Sequence, residues 1–241
     1  MKPDVTGFYN SFAKKYENIS LSLKYERSVR ITSILRELMS TDLYKKRIKI
    51  LELGAGTGVV TETIVPYVRG IYTATDISNN MLIQLRKKEL GVVLCRCDAH
   101  FISFQTNVFD LVICCEVLEH LFSPLQALSE IVRCLKVNGY LLISTPNEES
   151  FYSNRMGKQP IERWLSSLEL KSLFKRVSLY PVKSYTVYYI FPLLYNLVSA
   201  RPMIFSALHR IGILQLLENF RFFRPLRNKG LYHIVVCRKL A

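Results

Sequence analysis

Three glycines at alternating positions form the segment best suited to binding a ligand. Gly54, Gly56 and Gly58 directly follow the short strand-like run 47–53, which predicts a buried strand that turns sharply into a helix. In open α/β sheets such a turn lies beyond the carboxyl ends of the strands, where ligands bind. The spacing is G-x-G-x-G rather than the G-x-G-x-x-G of dinucleotide-binding proteins, and Val59 stands where a P-loop has lysine. The turn therefore predicts a nucleotide-like ligand without favouring a pyrophosphate.

Two aspartates follow the next two predicted strands. Asp76 lies 20 positions after Gly56, where a carboxylate can accept hydrogen bonds from both hydroxyls of a ribose. Asp98 follows the third strand, where a carboxylate can accept a hydrogen bond from an adenine amino group while Ile77 and Ala99 pack on the purine faces. Each aspartate alone would more often cap a helix or lie in a turn. Their order after consecutive strands favours an adenosine-containing ligand.

A further polar group follows the fourth predicted strand. If residues 116–120 form a helical turn, Glu116, Glu119 and His120 share one face, because positions i, i+3 and i+4 are neighbours on a helix. His120 could then act as a general base oriented by a carboxylate. Alternatively, all three could be ligands of a divalent cation, and this oxygen-rich set suits Mg²⁺ or Mn²⁺. The same run could also merely cap a helix.

These residues need a sheet to position them, and the rest of the sequence predicts one. Short apolar runs alternate with helical patterns, which is typical of a parallel sheet covered by helices on both faces. We predict a doubly wound α/β fold with a mostly parallel seven-stranded sheet. The predicted strands are 47–53, 70–75, 92–97, 109–115, 140–145, 176–188 and 231–238, the last two as an antiparallel hairpin at the edge. The predicted helices are 58–68, 79–90, 124–136 and 165–174. Ser78 or Asn79 is expected to cap the second and Ser123 the third, which ends before Asn138-Gly139.

One domain accounts for the whole chain. Its 241 residues, 49% hydrophobic and 22% charged, are typical of a single globular unit. We divide it into an N-terminal helical cap at 7–40, a ligand-binding core at 47–150, and a C-terminal part at 151–241. The last part consists of a helical lid and the closing strands.

The charge and the cysteines bear on partners and location. A formal charge of +14 favours nucleic acid, a phospholipid surface or a phosphorylated substrate, or is simply a solvated basic surface. The 6 cysteines have no C-x-x-C spacing and lie mostly in apolar runs, which predicts free buried thiols. No apolar signal region or run long enough for a transmembrane helix is visible, so we expect a cytoplasmic location.

The glycine turn with Asp76 and Asp98 resembles the motifs of class I S-adenosylmethionine-dependent methyltransferases over roughly residues 8–147. The resemblance implies that S-adenosylmethionine is the cofactor, that the glycines shape the pocket for its methionine, and that Asp76 holds its ribose. It also implies that Asp98 with Ala99 meets the adenine. The full set of expected cofactor contacts is Tyr16, Glu52, Gly54, Ala55, Gly56, Gly58, Asp76, Ile77, Asp98, Ala99 and Cys115.

An aromatic segment near the N-terminus also resembles that family. Residues 8–16 are similar to its lid motif, which implies that Tyr9 or Tyr16 closes over the cofactor, although simple helix packing explains both tyrosines nearly as well.

The E-x-x-E-H run resembles two branches of the family. These are the ubiquinone-biosynthesis O-methyltransferases and the small-RNA 3′-end 2′-O-methyltransferases, and the run 144–148 is similar to both. In the RNA branch the motif is associated with metal binding, and a further histidine is expected shortly before the tryptophan that Trp164 resembles. Residues 158–163 contain no histidine, which weakens both the RNA assignment and the metal proposal.

The chemistry expected of the chain is O-methylation of an apolar or amphipathic small molecule, such as a phenol, a lipid-linked precursor or a glycosylated metabolite. In-line displacement requires alignment of a nucleophile and removal of its proton, for which His120 is the best single candidate. The basic, apolar tail 185–229 could lie on an anionic membrane, cover the acceptor, bind phosphates, or form an ordinary lid. The alternatives are an RNA 2′-O-methyltransferase and an inactive cofactor-binding partner subunit.

Overall fold

A mixed seven-stranded sheet forms the centre of the molecule. The computed structural model describes residues 4–13, 21–150, 159–189 and 228–240. The sheet order is β3-β2-β1-β4-β5-β7-β6, in which β7 runs antiparallel to the other six strands. The strands are β1 Arg47–Leu53, β2 Arg69–Asp76, β3 Val93–Arg96, β4 Phe109–Cys115, β5 Leu135–Pro146, β6 Leu179–Val187 and β7 Tyr232–Lys239. The predicted doubly wound, mostly parallel sheet is confirmed.

Helices cover both faces of this sheet. They are α1 Val5–Phe12, α2 Leu21–Met39, α3 Val59–Ile64, α4 Asn79–Arg86, α5 Pro124–Cys134 and α6 Ser167–Arg176. Alternate residues of β1 supply two separate cores, because successive side chains of a strand point to opposite faces. Ile50 packs in the core that contains residues of α2, α3 and α4, whereas Leu51 packs in the core that contains residues of α5 and α6. Each fully buried side chain of this size stabilises the fold by about 1.5–3 kcal/mol.

Local signals set the starts of the helices. Ser78 and Ser123 cap α4 and α5 as predicted, with hydroxyls that accept bonds from Met81 N at 3.2 Å and Gln126 N at 3.4 Å. The predicted helix 58–68 is shorter than expected: α3 ends at Ile64, and a 3₁₀ turn that contains proline follows it.

The start of β5 differs from the prediction. The strand begins at Leu135 and continues through Asn138-Gly139, which we interpreted as the break between helix and strand. Asn138 has a φ of 65°, and the pairing with β4 shifts from Phe109–Leu135 to Leu111–Tyr140. Asparagine tolerates this left-handed conformation better than most residues, so the pair forms a bulge inside the strand instead of ending it.

The last two strands are antiparallel at the edge, as predicted, but they are not a tight hairpin. Residues 188–231 connect them, and β7 lies between β5 and β6. Val187 and Tyr232 are paired in register, and Leu231 N donates to Tyr188 O at 3.1 Å. Most of the predicted lid, residues 190–227, lies outside the described residues. None of the helices described is both long and apolar enough to cross a membrane.

The N-terminal helical cap is present as α1 and α2. Ile34 and Leu38 of α2 are fully buried in the core on its face of the sheet. In contrast, α1 buries no side chain completely and is tied to the start of α4 by Asn10. The Asn10 Oδ1 atom accepts a bond from Ser78 Oγ at 2.7 Å, and the Asn10 carbonyl accepts one from Asn80 Nδ2 at 3.0 Å. Because α1 buries no side chain completely, we expect it to detach from the domain more easily than α2.

Candidate functional site

A cavity of about 770 Å³ opens beyond the carboxyl ends of β1, β2, β3 and β4. This is the place where open α/β sheets bind ligands. Most of the predicted site residues line it, namely Glu52, Gly54, Ala55, Gly56, Asp76, Ile77, Asp98, Ala99, Cys115, Glu116, Glu119 and His120. Gly58 does not line it, and Tyr16 lies outside the described residues.

The glycine turn serves two purposes. At Gly56 the φ is 56° and a Cβ atom would meet nothing within 4 Å, so the turn leaves open space beside the cavity. At Gly58 the φ is 88° and a Cβ would lie 2.1 Å from the Leu85 side chain of α4. Gly58 therefore allows α3 and α4 to pack closely instead of shaping the ligand pocket itself.

Asp76 stabilises the glycine turn. Its Oδ2 accepts a bond from Gly56 N at 2.9 Å, and its Oδ1 accepts one from Ser78 N at 2.8 Å. Burial raises the pKa of this carboxyl, and the two backbone donors oppose that rise. Each carboxylate oxygen can accept a second bond, so the group is oriented and still able to bind hydroxyls of a ligand.

Glu52 is buried under the turn and also lines the cavity. Its Oε2 accepts bonds from Thr61 Oγ1 at 2.6 Å and from Tyr72 OH at 2.8 Å. Burial raises its pKa to about 7. Cys115, at the end of β4, is a neutral thiol, because burial raises its pKa to about 12. Neither side chain can become positively charged, so neither repels a cationic ligand.

Asp98 has a partner that sequence reasoning missed. Its Oδ1 accepts bonds from His100 N at 2.9 Å and from His100 Nδ1 at 2.7 Å, while His100 Nε2 accepts one from Ser123 N at 3.2 Å. These bonds fix the imidazole between β3 and α5. They leave Oδ2 of Asp98 available to the cavity, where an adenine amino group could donate to it.

The expected helical turn over 116–120 is wrong. Only Leu118–His120 form a 3₁₀ turn, and Glu116 has a left-handed φ of 56°. The Glu116 carboxylate instead pairs with Arg30 Nη1 of α2 at 3.2 Å and accepts a bond from Ser144 Oγ at 3.0 Å. The three polar side chains of this run nevertheless all face the same cavity.

Each of the other two side chains has its own support. Glu119 is fully buried, accepts a bond from Thr145 Oγ1 at 3.1 Å, and has a pKa that burial raises to about 7. The His120 Nδ1 atom lies 2.8 Å from Ile161 O, an acceptor, which places the proton on Nδ1 and leaves Nε2 unprotonated. Burial lowers the pKa of His120, so the imidazole is neutral and able to accept a proton.

The residues present do not fit the predicted Mg²⁺ site at Glu116, Glu119 and His120. A cation bound by Glu116 would have to displace the guanidinium of Arg30. Within the described ranges, no group of three or more His, Cys, Asp or Glu side chains is arranged to hold a metal ion. The ion pair, which joins residues 86 positions apart, removes Glu116 from such a ligand set.

Further residues of the site come from distant segments. The stretch 159–164 forms a wall beside His120, because Arg163 N donates to Glu119 O at 2.9 Å. The Trp164 indole donates to Glu162 Oε1 at 2.8 Å, and both residues line the cavity. On the other side, Arg30 stacks 4.8 Å above the Tyr232 ring of β7. No short-range pattern in the sequence marks these residues.

Tyr9 lies over the same end of the cavity. Its hydroxyl donates to Gln159 Oε1 at 2.5 Å, and its ring meets that of His120 edge-on with centroids 6.0 Å apart. This position is the one expected of a lid residue, whereas the alternative for Tyr9 was simple helix packing.

Comparison with known proteins supports a methyltransferase domain. The family model described as a methyltransferase domain matches residues 51–143. The chain is similar to 2-methyl-6-phytyl-1,4-hydroquinone methyltransferase 2 of Oryza sativa subsp. japonica, with 30% identity over 121 residues, 49% of this chain and 35% of the rice protein. It is also similar to the ubiquinone biosynthesis O-methyltransferase of Rickettsia canadensis, with 29% identity over 122 residues, 49% of this chain and 51% of that protein.

The two sequence matches cover about half of this chain, whereas the structural match covers nearly all of it. The chain spans less than two thirds of the length of either of these relatives. A solved structure of an S-adenosylmethionine-dependent methyltransferase from Thermotoga maritima superposes with a TM-score of 0.65, covering 96% of this chain and 98% of that one. At 19% sequence identity this likeness establishes the fold alone.

Proposed function

We propose that the chain transfers a methyl group from S-adenosylmethionine to a hydroxyl of a small acceptor, and the match of residues 51–143 to a methyltransferase domain supports this. The observation that carries the proposal is the cavity in which Asp76 and Asp98, at the ends of consecutive strands, lie with His120. The first two suit an adenosine, and the third suits the removal of a proton.

The residues around the glycine turn fit the cofactor. The open space at Gly56 would admit its methionine part, Asp76 would accept bonds from the ribose hydroxyls, and Asp98 would accept one from the adenine amino group. When bound, S-adenosylmethionine supplies a methyl group on a positively charged sulfur. Carboxyl groups on this side of the cavity favour that charge.

His120 would act as the base for the acceptor hydroxyl. Its Nε2 takes the hydroxyl proton as the new oxygen–carbon bond forms, the sulfur–carbon bond breaks, and the electron pair of that bond goes to sulfur. Ile161 O keeps the ring oriented by accepting the Nδ1 proton in a hydrogen bond. The chain thus aligns the reactants and removes one proton, which is most of what an in-line transfer needs.

An apolar or amphipathic acceptor suits the surroundings of His120. Apolar side chains of Phe12, Leu121 and Trp164 line the cavity together with polar groups. The names of the rice and rickettsial relatives refer to methylation of a hydroquinone and to O-methylation in ubiquinone biosynthesis. Peripheral contact of the chain with an anionic membrane and a cytoplasmic location stay predictions.

The test is methyl transfer with His120→Asn. Asparagine can still donate to Ile161 O but has no basic nitrogen, so we expect the rate of label transfer from methyl-labelled S-adenosylmethionine to an extract to fall about 10²- to 10⁴-fold. Affinity for S-adenosylhomocysteine should not change. The control is His233→Gln, since His233 is buried and bonded to Leu165 O outside the cavity. The proposal would be contradicted if His120→Asn transferred the label as fast as the unmodified protein. It would also be contradicted if the unmodified protein transferred no label.

A further inference from the structure

The acceptor end of the cavity has more carboxyl groups than cationic ones. Among the described residues that line this end, the acids are Glu26, Glu116, Glu119 and Glu162, and the cations are Arg27 and Arg30. The chain as a whole has the opposite balance, with a formal charge of +14. Such a local excess of acid groups inside a basic protein disfavours an anionic ligand and favours positive charge on the molecules bound there.

Glu162 has a carboxyl oxygen for which the described residues supply no hydrogen-bond donor. Its Oε1 accepts the bond from the Trp164 indole, but within the part of the chain that the structure describes no donor reaches its Oε2, which is buried. A buried carboxylate oxygen without a donor costs about 1–3 kcal/mol or more, so such atoms normally have a partner. Because Glu162 lines the cavity, a ligand can provide that donor.

A cation beside Glu162 would also stabilise the charged forms of two neighbouring carboxyl groups. Burial raises the pKa of Glu116 to about 8 and that of Glu119 to about 7, and the single guanidinium of Arg30 only partly opposes these rises. Glu162 is close enough to Glu119 to raise its pKa further. These side chains are held in place by Ser144 and Thr145, so they cannot turn away to water.

We propose that the acceptor carries a protonated amine, which donates to Glu162 Oε2, beside the hydroxyl that faces His120. The acceptor class is therefore a small amino alcohol, such as an amino sugar or a phenol with an aminoalkyl group. This inference rests on the proposed function, because it concerns the acceptor of the same reaction. Phosphate and carboxylate acceptors are disfavoured by like-charge repulsion, which also argues against an RNA acceptor.

Two sets of matched probes test the proposal. The first set is tyramine, 4-ethylphenol and 4-hydroxyphenylacetate, and the second is glucosamine, glucose and glucuronate. Binding to the full chain is measured by calorimetry with S-adenosylhomocysteine present. We expect the amine of at least one set to bind at least about tenfold more tightly than its neutral and anionic counterparts. Equal binding of the three members, tighter binding of a neutral or anionic one, or no binding of either amine would overturn the proposal.

Glu162→Gln separates acceptor binding from cofactor binding. Glutamine can still accept from the Trp164 indole but has no charge, so affinity for the amine should fall about tenfold while affinity for S-adenosylhomocysteine stays the same. Glu62→Gln, which changes an exposed partner of Lys88, is the control. Equal losses for both ligands would mean that Glu162 binds the cofactor, and the proposal would fail. Methyl transfer to neutral acceptors alone would refute the amine while leaving the proposed methyltransferase activity intact.

Discussion

Replacement of Asp76 by asparagine tests the way in which this carboxylate stabilises the glycine turn. Its two oxygens accept bonds from two different backbone N–H groups, those of Gly56 and Ser78. An amide has one acceptor oxygen, so in either orientation its NH₂ group faces one of these donors. One buried N–H then lacks a partner, which costs about 1–3 kcal/mol of unfolding free energy. In a chain of this size that is roughly 2–4 °C in Tm for each kcal/mol.

Asp98→Asn is the matched control for this substitution. Both protein donors to Asp98 bond to Oδ1, so an amide oxygen in the same place can accept from both of them. We expect this variant to lose less than about 0.5 kcal/mol of unfolding free energy. Both variants should bind S-adenosylhomocysteine more weakly, by at least about tenfold, because each loses a charged acceptor for the ligand.

The assays are urea-induced unfolding without ligand and calorimetry with S-adenosylhomocysteine. We expect Asp76→Asn alone to lower the urea midpoint, while both variants lose affinity for S-adenosylhomocysteine. Unfolding of Asp76→Asn at the same urea concentration as the unmodified chain would show that the two oxygens of Asp76 do not stabilise the turn. If Asp98→Asn is as unstable as Asp76→Asn, the difference between their donor sets does not matter.

Three further predictions concern the lid, the carboxyl groups and metal. Asn10→Ala should release α1 from α4 and weaken S-adenosylhomocysteine binding severalfold in calorimetry, whereas Ser11→Ala, which removes only a bond to Phe8 O, should not. Because burial raises the pKa of Glu116 from 4.5 to about 8, its contribution to stability is full below pH 4.5 and is lost as the pH rises to about 8. Glu116→Gln should therefore flatten the fall of Tm over that range, and an unchanged slope would contradict the assigned pKa. EDTA should leave the rate of methyl transfer unchanged, and a loss that Mg²⁺ restores would revive the metal site.

The sequence predicts the sheet well because its signals are local. Apolar runs, a glycine turn and capping serines each act over a few neighbouring residues, and the structure confirms the strands and caps that they indicate. The Asn138-Gly139 pair is a failure of the same kind of reasoning. Such a pair is equally compatible with a helix stop and with a bulge, and only the pairing with β4 decides between them.

The site is less predictable because its partners are distant in the chain. Nothing near Glu116 indicates that Arg30 will pair with it, and that ion pair removes it from a metal ligand set. Glu162 and Trp164 enter the site because the stretch 159–164 binds to the 3₁₀ turn Leu118–His120. The contacts are made by Ile161 O and Arg163 N. Contacts of this kind depend on how the sheet brings segments together, and no spacing rule expresses them.

The pairing of Val187 with Tyr232 has a consequence for how such a protein can diversify. The chain leaves the sheet at one of these residues and returns at the other, directly opposite, so the intervening stretch is closed by the sheet itself. Lengthening a closed stretch is inexpensive, since each doubling costs only about 0.6 kcal/mol. Tyr188, Tyr189 and Leu231 are buried at the two ends of this stretch and are therefore constrained, whereas the length of chain between Tyr189 and Asn228 can change at little cost to the sheet. Selection for a new acceptor could act there without disturbing the older chemistry.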